Sequence, residues 1–468
     1  MAKPSIRIFD LSVAHHRTAA EIFESAADLP LVCPHSHIDP WLLADADARF
    51  LDPAALFVIP DHYVVRMLIS QGISLDELGI FPINEGDRSY DPQAVWRVFC
   101  EHFHLFDGTP TGLWIENDLS MVFGIDQKPD EKNADHLYSK IQSAIEDQAF
   151  SPRNLYRRFN IEVLCTTDAA VDKLEAHQTI RESEWPGRIL PTFRPDAVIN
   201  VHKPGWLERI EELSRVCEMD IRSYTDFIRA LENRRAYFKT LGAVATDHAA
   251  ETPFTCHLSK ENAAALFQKA LDKTICDDEA KQFIGHMIFE MARMSLEDGL
   301  VMQFHVGAYR DHNAAIFRNY GTDMGFDIPM KVEWTHNLKP LLDAFGMDPR
   351  LQLILFTLDE SSYSRELAPI AGVYPAVKLG PPWWFNDSPN GMMRYFEAVM
   401  ETAGIDNTTG FNDDTRAFLS IPARHDLWRR MTALWLARLV HHGQIKQVTA
   451  IRRMADLAYW LPKRAYRL

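Results

Sequence analysis

A chain of 468 residues, 47% hydrophobic and 24% charged, has room for one elaborated barrel or for two domains around a large core. A formal net charge of −16 and a pI of about 5.6 argue against nucleic acid and anionic membranes as partners, and leave any anionic substrate dependent on local arginines. Six scattered cysteines with no C-x-x-C pair, no apolar leader core in residues 1–10 and no run of about 18 apolar residues point to a cytoplasmic protein with reduced thiols.

In chain order, residues 17–25 read as helix and lead into the short apolar run 29–33. Cys33-Pro34-His35-Ser36-His37 ends that run. Side chains two apart on a strand point the same way, so His35 and His37 project together, as a paired imidazole metal site requires. Residues 40–155 carry helix-like stretches at 53–71, 92–106 and 135–146 without a strong strand, and read as a helical insertion. Within it, Asp61-His62-Tyr63-Val64-Val65-Arg66 sets His62 and Arg66 four apart on one helix face.

β/α alternation follows. Strands are expected at 161–168 and 188–196, at 243–246 with Asp247-His248 at its tip, and at 300–304 with His305-Val306-Gly307 at its tip. Three more are expected at 351–358, at 374–379 before Trp383-Trp384, and at 410–414 before Thr415-Arg416. Helical stretches at 206–217 and 224–241 form a smaller insertion over 200–242. The amphipathic stretch 279–296 stops at Gly299, and 426–441 reads as a helix closing the fold. With the run at 29–33 the strands number eight, which is the count of a (β/α)8 TIM barrel of about 250 residues, here enlarged by roughly 200. An open doubly wound sheet is the alternative, but no Gly-rich fingerprint follows any strand.

In a barrel of this kind the chemistry sits at the C-terminal strand ends. There His35 and His37 offer neutral imidazoles, Asp413 or Asp414 offers a carboxylate, and His248 or His305 could complete the set. Two histidines and a carboxylate with open positions suit a catalytic divalent metal, zinc first and manganese or iron next. Arg194, Arg310 and Arg416 near strand ends suit a substrate carboxylate. Trp383-Trp384 could cover a sugar ring or simply pack. No nucleophile elbow, P-loop or H-E-x-x-H helix supports a competing chemistry.

Taken together, these residues resemble the uronate isomerase (glucuronate isomerase) family, a divergent branch of the metal-binding amidohydrolase barrels. The resemblance runs from about His35 to Arg430. It rests on His35-x-His37, Asp61-His62-Tyr63 with Arg66, Arg194-Pro195-Asp196, Thr246-Asp247-His248 and His305-Val306-Gly307-Ala308-Tyr309-Arg310. It continues in Trp383-Trp384-Phe385-Asn386-Asp387 with Gly391-Met392, Asp414-Thr415-Arg416 with Phe418-Leu419-Ser420, and Arg424-His425-Asp426 with Arg429-Arg430.

The resemblance implies a distorted (β/α)8 barrel of the metal-dependent hydrolase type. It implies aldose–ketose isomerisation of D-glucuronate to D-fructuronate and D-galacturonate to D-tagaturonate through an enediol. One divalent metal, held by His35, His37 and Asp414, is implied, with Asp414 also abstracting a proton and Tyr63 returning one to the neighbouring carbon. His62, Arg194, Asp247, His305, Arg310, Trp384 and Arg416 would bind the hexuronate, in a homo-oligomer. Two departures stand out: Cys33 occupies a position where the family usually has Asp, and the family's Thr-Asp-Ser-Arg reads Asp413-Asp414-Thr415-Arg416. The first is expected to alter the support of the metal site, and the second makes Asp413 a rival ligand. A hydrolase of the same superfamily and a non-catalytic sugar-acid binder remain as alternative readings.

Overall fold

The computed structural model describes residues 13–86 and 88–468; residues 1–10, read above for a leader, lie outside the described residues. Seven parallel strands line up around a barrel: β1 (Leu31–Cys33), β2 (Ile161–Cys165), β3 (Ile189–Leu190), β4 (Ala245–Ala250), β5 (Val301–Val306), β6 (Leu353–Thr357) and β7 (Val377–Leu379). β1, β2 and β3 pair in that order, as do β4 to β7. The two runs join because β2 and β3 resume after a break as Asp168–Ala169 and Phe193–Arg194, with Phe193 paired to Thr246. The break in β3 falls at Pro191, which has no N–H to give the ladder.

The eighth position departs from expectation. Residues 410–414 do not form a regular strand; the extended segment makes one parallel bridge, Leu379 with Thr408. It closes the barrel through two hydrogen bonds, Asp414 N–H to the His35 carbonyl (3.2 Å) and His37 N–H to the Thr415 carbonyl (3.0 Å). Asp414 sits at φ +43°, which interrupts the pleat. Asp247-His248 and His305 also fall differently, inside β4 and β5 rather than beyond their ends.

Alternation along each strand separates two cores. Val301, Ile354, Phe356 and Ala245 point into the lumen, whereas Met302, Phe304, Leu353 and Leu355 point out to the helices. The lumen is stoppered at its N-terminal end by the last helix, Leu461–Tyr466, whose Tyr466 hydroxyl donates to Gln303 Oε1 at 2.9 Å. Between residues 41 and 158 the described elements are all helices, and Val64, Trp96, Phe99 and Phe103 share one core with Leu31, Ile161 and Ile189, so these helices lean on the β1–β3 wall. One of them, Pro110–Phe123, lies outside the helix-like stretches expected from the sequence, although Thr109 caps it and Pro110 opens it.

Candidate active site

A cavity of about 440 Å³ opens at the C-terminal end of the barrel, bordered by His37, Tyr63, Arg310, Trp384, Asp414 and Arg416. Elements far apart in sequence supply these side chains. His37 follows β1, Tyr63 comes from the first turn of the helix His62–Ile69, Arg310 from the loop after β5, Trp384 from the loop after β7, and Asp414 and Arg416 from the closing segment. Asp61 fixes Tyr63 by capping its helix, accepting from the Tyr63 N–H at 2.8 Å.

At the floor, Asp414 Oδ1 lies 3.4 Å from His35 Nε2 and 3.1 Å from His37 Nε2. Ligand atoms of His35, His305 and Asp414 fall within 4.8 Å of one another. His305 Nε2 and Asp414 Oδ2 are buried with no hydrogen-bond partner among the described residues. Buried donor atoms converging without partners are what a cation site requires, so this set can hold a metal ion. Burial lowers the His37 and His305 pKa values, keeping those imidazoles neutral. The second ring nitrogen of His305 is occupied: Nδ1 donates to Asp247 Oδ1 at 2.7 Å. Asp247 Oδ2 lies 3.3 Å from Arg194 Nε, which also bonds Asp196 at 3.0 Å. Burial opposes ionisation of Asp247, but His305 and Arg194 hold its carboxyl well below the usual range.

Alternation decides between the sequence-level rivals. Ala245 and Asp247 face the lumen, so His248 faces outward, where it pairs with Thr246 Oγ1 at 3.0 Å instead of joining the centre. Asp413 likewise turns away from the cavity floor. Its Oδ2 lies 3.3 Å from His425 Nε2, and that nitrogen is 3.6 Å from Cys33 Sγ, all three side chains being buried between the barrel wall and the helix Ile421–His441. Cys33 and Asp413 thus meet in one network around His425. The carboxylate beside His425 comes from the closing segment.

The rim is cationic and aromatic. Arg310 bonds Asp327 at 2.7 Å, Arg416 bonds Asp323 at 2.9 Å, and the Arg310 guanidinium lies 5.3 Å from the Trp384 ring centre. His62 stacks on Trp384 (4.9 Å, 25°), and burial together with Arg416 and Arg310 lowers its pKa to about 3, so it is a neutral hydrogen-bonding group. Arg66 does not reach the centre; it lies over the Phe385 ring at 4.5 Å. Asp323 and Asp327, which orient the rim arginines, sit in an irregular loop that carries no periodic signal. The Asp387 and Arg424 partners of Tyr63 were visible only as parts of motifs, without assigned roles.

The fold and its polar floor define a distorted (β/α)8-barrel enzyme with its site at the C-terminal strand ends. The family profile of glucuronate isomerase matches residues 9–466, and the chain belongs to that family. It is 52% identical over 462 residues to a uronate isomerase of Nostoc punctiforme, covering 99% of this chain and 98% of that one. Among solved structures it resembles glucuronate isomerase from Caulobacter crescentus (46% identity, TM-score 0.97, 98% and 96% covered). It also resembles a uronate isomerase from Thermotoga maritima (30% identity, TM-score 0.90, 96% and 97% covered).

Proposed function

We propose that this protein interconverts D-glucuronate with D-fructuronate and D-galacturonate with D-tagaturonate, using one divalent metal ion, zinc by ligand type, held by His35, His37 and Asp414 with His305 alongside. Family membership over the whole chain supports the reaction. The observation that carries the site is the convergence of unpartnered donor atoms from His305 and Asp414 beside His35 and His37 at the floor of an arginine-rimmed cavity.

Isomerisation moves a proton between adjacent carbons through an enediol, which needs polarised oxygens and groups that take and give protons. The metal, when bound, supplies Lewis-acid polarisation of substrate oxygens. Asp414, at the floor, accepts the proton from the carbon beside the carbonyl. Tyr63, reaching over the mouth from its capped helix, gives a proton to the neighbouring carbon. Arg310 and Arg416 grip the substrate carboxylate, overcoming the repulsion of a chain that is −16 overall. Arg194 and Asp247 hold substrate hydroxyls and keep His305 in one tautomer. His62 and Trp384 form a stacked wall against the sugar face. No helix among the described residues is long and apolar enough to cross a membrane, and we read the protein as a cytoplasmic homo-oligomer.

The test is turnover of both aldouronates to keturonates by the purified, metal-loaded protein and by Asp414→Asn. Turnover by the parent that falls at least about a hundredfold in the variant supports isomerase chemistry centred on Asp414. No turnover of either uronate sinks the assignment and turns attention to hydrolysis of amides and lactones.

A further inference from the structure

Behind Tyr63 lies a cluster of buried charge that the reaction scheme above does not use. The Tyr63 hydroxyl donates to Asp387, 2.9 Å from Oδ1 and 3.1 Å from Oδ2, and receives the Phe385 N–H at 3.2 Å. Asp387 Oδ2 accepts from Arg424 at 2.8 Å, and the Arg424 guanidinium lies 3.7 Å from the Trp114 ring centre and 5.7 Å from that of Tyr63. Asp61, Asp118 and Asp413 also act on the same guanidinium, so four carboxyls share one buried cation. Arg66 stands at the edge of the cluster, its guanidinium over the Phe385 ring at 4.5 Å.

We propose that Asp387 is the proton store behind Tyr63: as the phenol gives its proton to the substrate carbon, the Asp387 carboxyl passes its own proton to the phenolic oxygen and remains as a carboxylate bonded to Arg424. This rests on the reading of Tyr63 as the proton donor. The balance is simple. The hydroxyl proton of one enediolate oxygen passes to the other, the oxyanion so formed re-forms the carbonyl as the π electron pair takes the phenolic proton into the new C–H bond, the Tyr63 O–H bond is re-formed with the Asp387 proton, and nothing is oxidised or reduced beyond the isomerisation itself. Asp414 gives the proton it took from the first carbon to solvent in the cavity, and solvent returns one to Asp387, which also borders the cavity, so the proton count closes over a turnover. The reverse reaction runs the same steps backward.

Electrostatics requires such an arrangement. A phenolate left within 3.1 Å of an ionised carboxylate, the first half-buried and the second buried, would place two like charges side by side away from bulk water. If Asp387 starts protonated, the charge ends on the oxygen that Arg424 already holds. Burial raises the pKa values of Asp387, Asp61 and Asp118 while Arg424 opposes each, so burial in this cluster favours the protonated carboxyl. Asp387 acts through Tyr63 and is in that sense a positioning and proton-supplying residue.

Asp387→Asn, Asp387→Glu, Tyr63→Phe and the double variant Tyr63→Phe/Asp387→Asn form the experiment, read as kcat and KM for D-glucuronate. Asn still accepts a hydrogen bond from Tyr63 but stores no proton. We expect kcat of Asp387→Asn to fall at least about tenfold with KM within about twofold, Asp387→Glu to recover part of the loss, and the double variant to be no slower than Tyr63→Phe alone. A kcat for Asp387→Asn equal to the parent's, losses that multiply in the double variant, or a Glu variant as slow as Asn would overturn the proposal. Full activity in Tyr63→Phe would overturn it while leaving uronate turnover by the parent intact, so the two readings fail separately.

Discussion

Asp414 closes the barrel on His35 twice, its N–H donating to the His35 carbonyl at 3.2 Å and its carboxylate lying 3.4 Å from the His35 ring. The seam of the fold and the floor of the site are therefore one contact. Asp414 adopts φ +43°, a conformation that costs a non-glycine residue on the order of 1–3 kcal/mol and persists where the surroundings impose it. Here that conformation turns consecutive carboxylates to opposite sides, Asp414 to the floor and Asp413 to His425.

The pair separates chemistry from support. Asp414→Asn should fold, lose bound metal and lose turnover at least about a hundredfold. Asp413→Asn should keep its metal and most of its activity but unfold at lower temperature, because the buried His425 and Cys33 lose a charged partner worth about 1–3 kcal/mol. Metal analysis and thermal melts of both variants check this. Equal metal loss in the two would mean that Asp413 belongs to the ligand set. Chelation of the parent should abolish turnover, and re-addition of a divalent cation should restore it.

The rim arginines should define the need for a carboxylate. Arg310→Met and Arg416→Met each remove a planar fork while keeping length, and each should raise KM for D-glucuronate about tenfold or more, from loss of about 1.5–3 kcal/mol of charged hydrogen bonding. Metal content should not change, since neither side chain is among the ligand atoms at the floor. Parent-like KM values in both variants would remove the arginines from substrate binding.

Much of this was legible before any coordinates. Eight strand-like runs with polar ends, the His35-x-His37 pair and the arginines follow from period-two apolar runs and local motifs, which depend only on neighbouring residues. The exclusion of His248 was also within reach, since it follows from alternation once Asp247 faces the lumen. The irregular closing segment was not, because a left-handed aspartate leaves no sequence signal. Nor was the Tyr63–Asp387–Arg424 contact, which joins three loops and helices more than 30 residues apart through tertiary packing alone. The meeting of Asp413 with Cys33 through His425 leaves no local signal either, since only the fold brings β1 against the helix Ile421–His441.

Trp384 depends on a glycine that never touches it. Its loop runs through Asn386 into the helix Pro389–Val399, capped by Ser388, whose hydroxyl accepts from the Gly391 N–H at 3.0 Å. A methyl group at Gly391 would come 2.0 Å from the Asn386 carbonyl oxygen. Backbone cannot yield there as a side chain could, so Gly391→Ala should cost about 1–3 kcal/mol and shift the Trp384 wall. A lower melting temperature together with a raised KM checks this, and a variant with parental stability would show that the loop re-forms without strain.

A final prediction concerns pH and stability away from the catalytic floor. Asp168 is buried where β2 resumes; its Oδ2 accepts from Thr166 Oγ1 at 2.7 Å and from the Thr192 N–H at 3.2 Å. Burial lifts its pKa to about 7, against about 3.9 in an unfolded chain. Nearby His177, whose Nε2 lies 4.0 Å from Asp168, is lowered by burial to about 4 and so stays neutral over most of this range. Between pH 4 and 7 the folded protein therefore holds a proton on Asp168 that the unfolded chain has released. That contribution is fully present below about pH 4 and is lost as pH rises through 7, at no more than about 1.4 kcal/mol per unit. Asp168→Asn keeps an oxygen acceptor but binds no such proton, so its stability relative to the parent should rise from pH 4 to 7 and level off above. Urea midpoints for both proteins at pH 5 and pH 8 measure the effect. A difference that does not change with pH would mean that Asp168 is already ionised in the folded state.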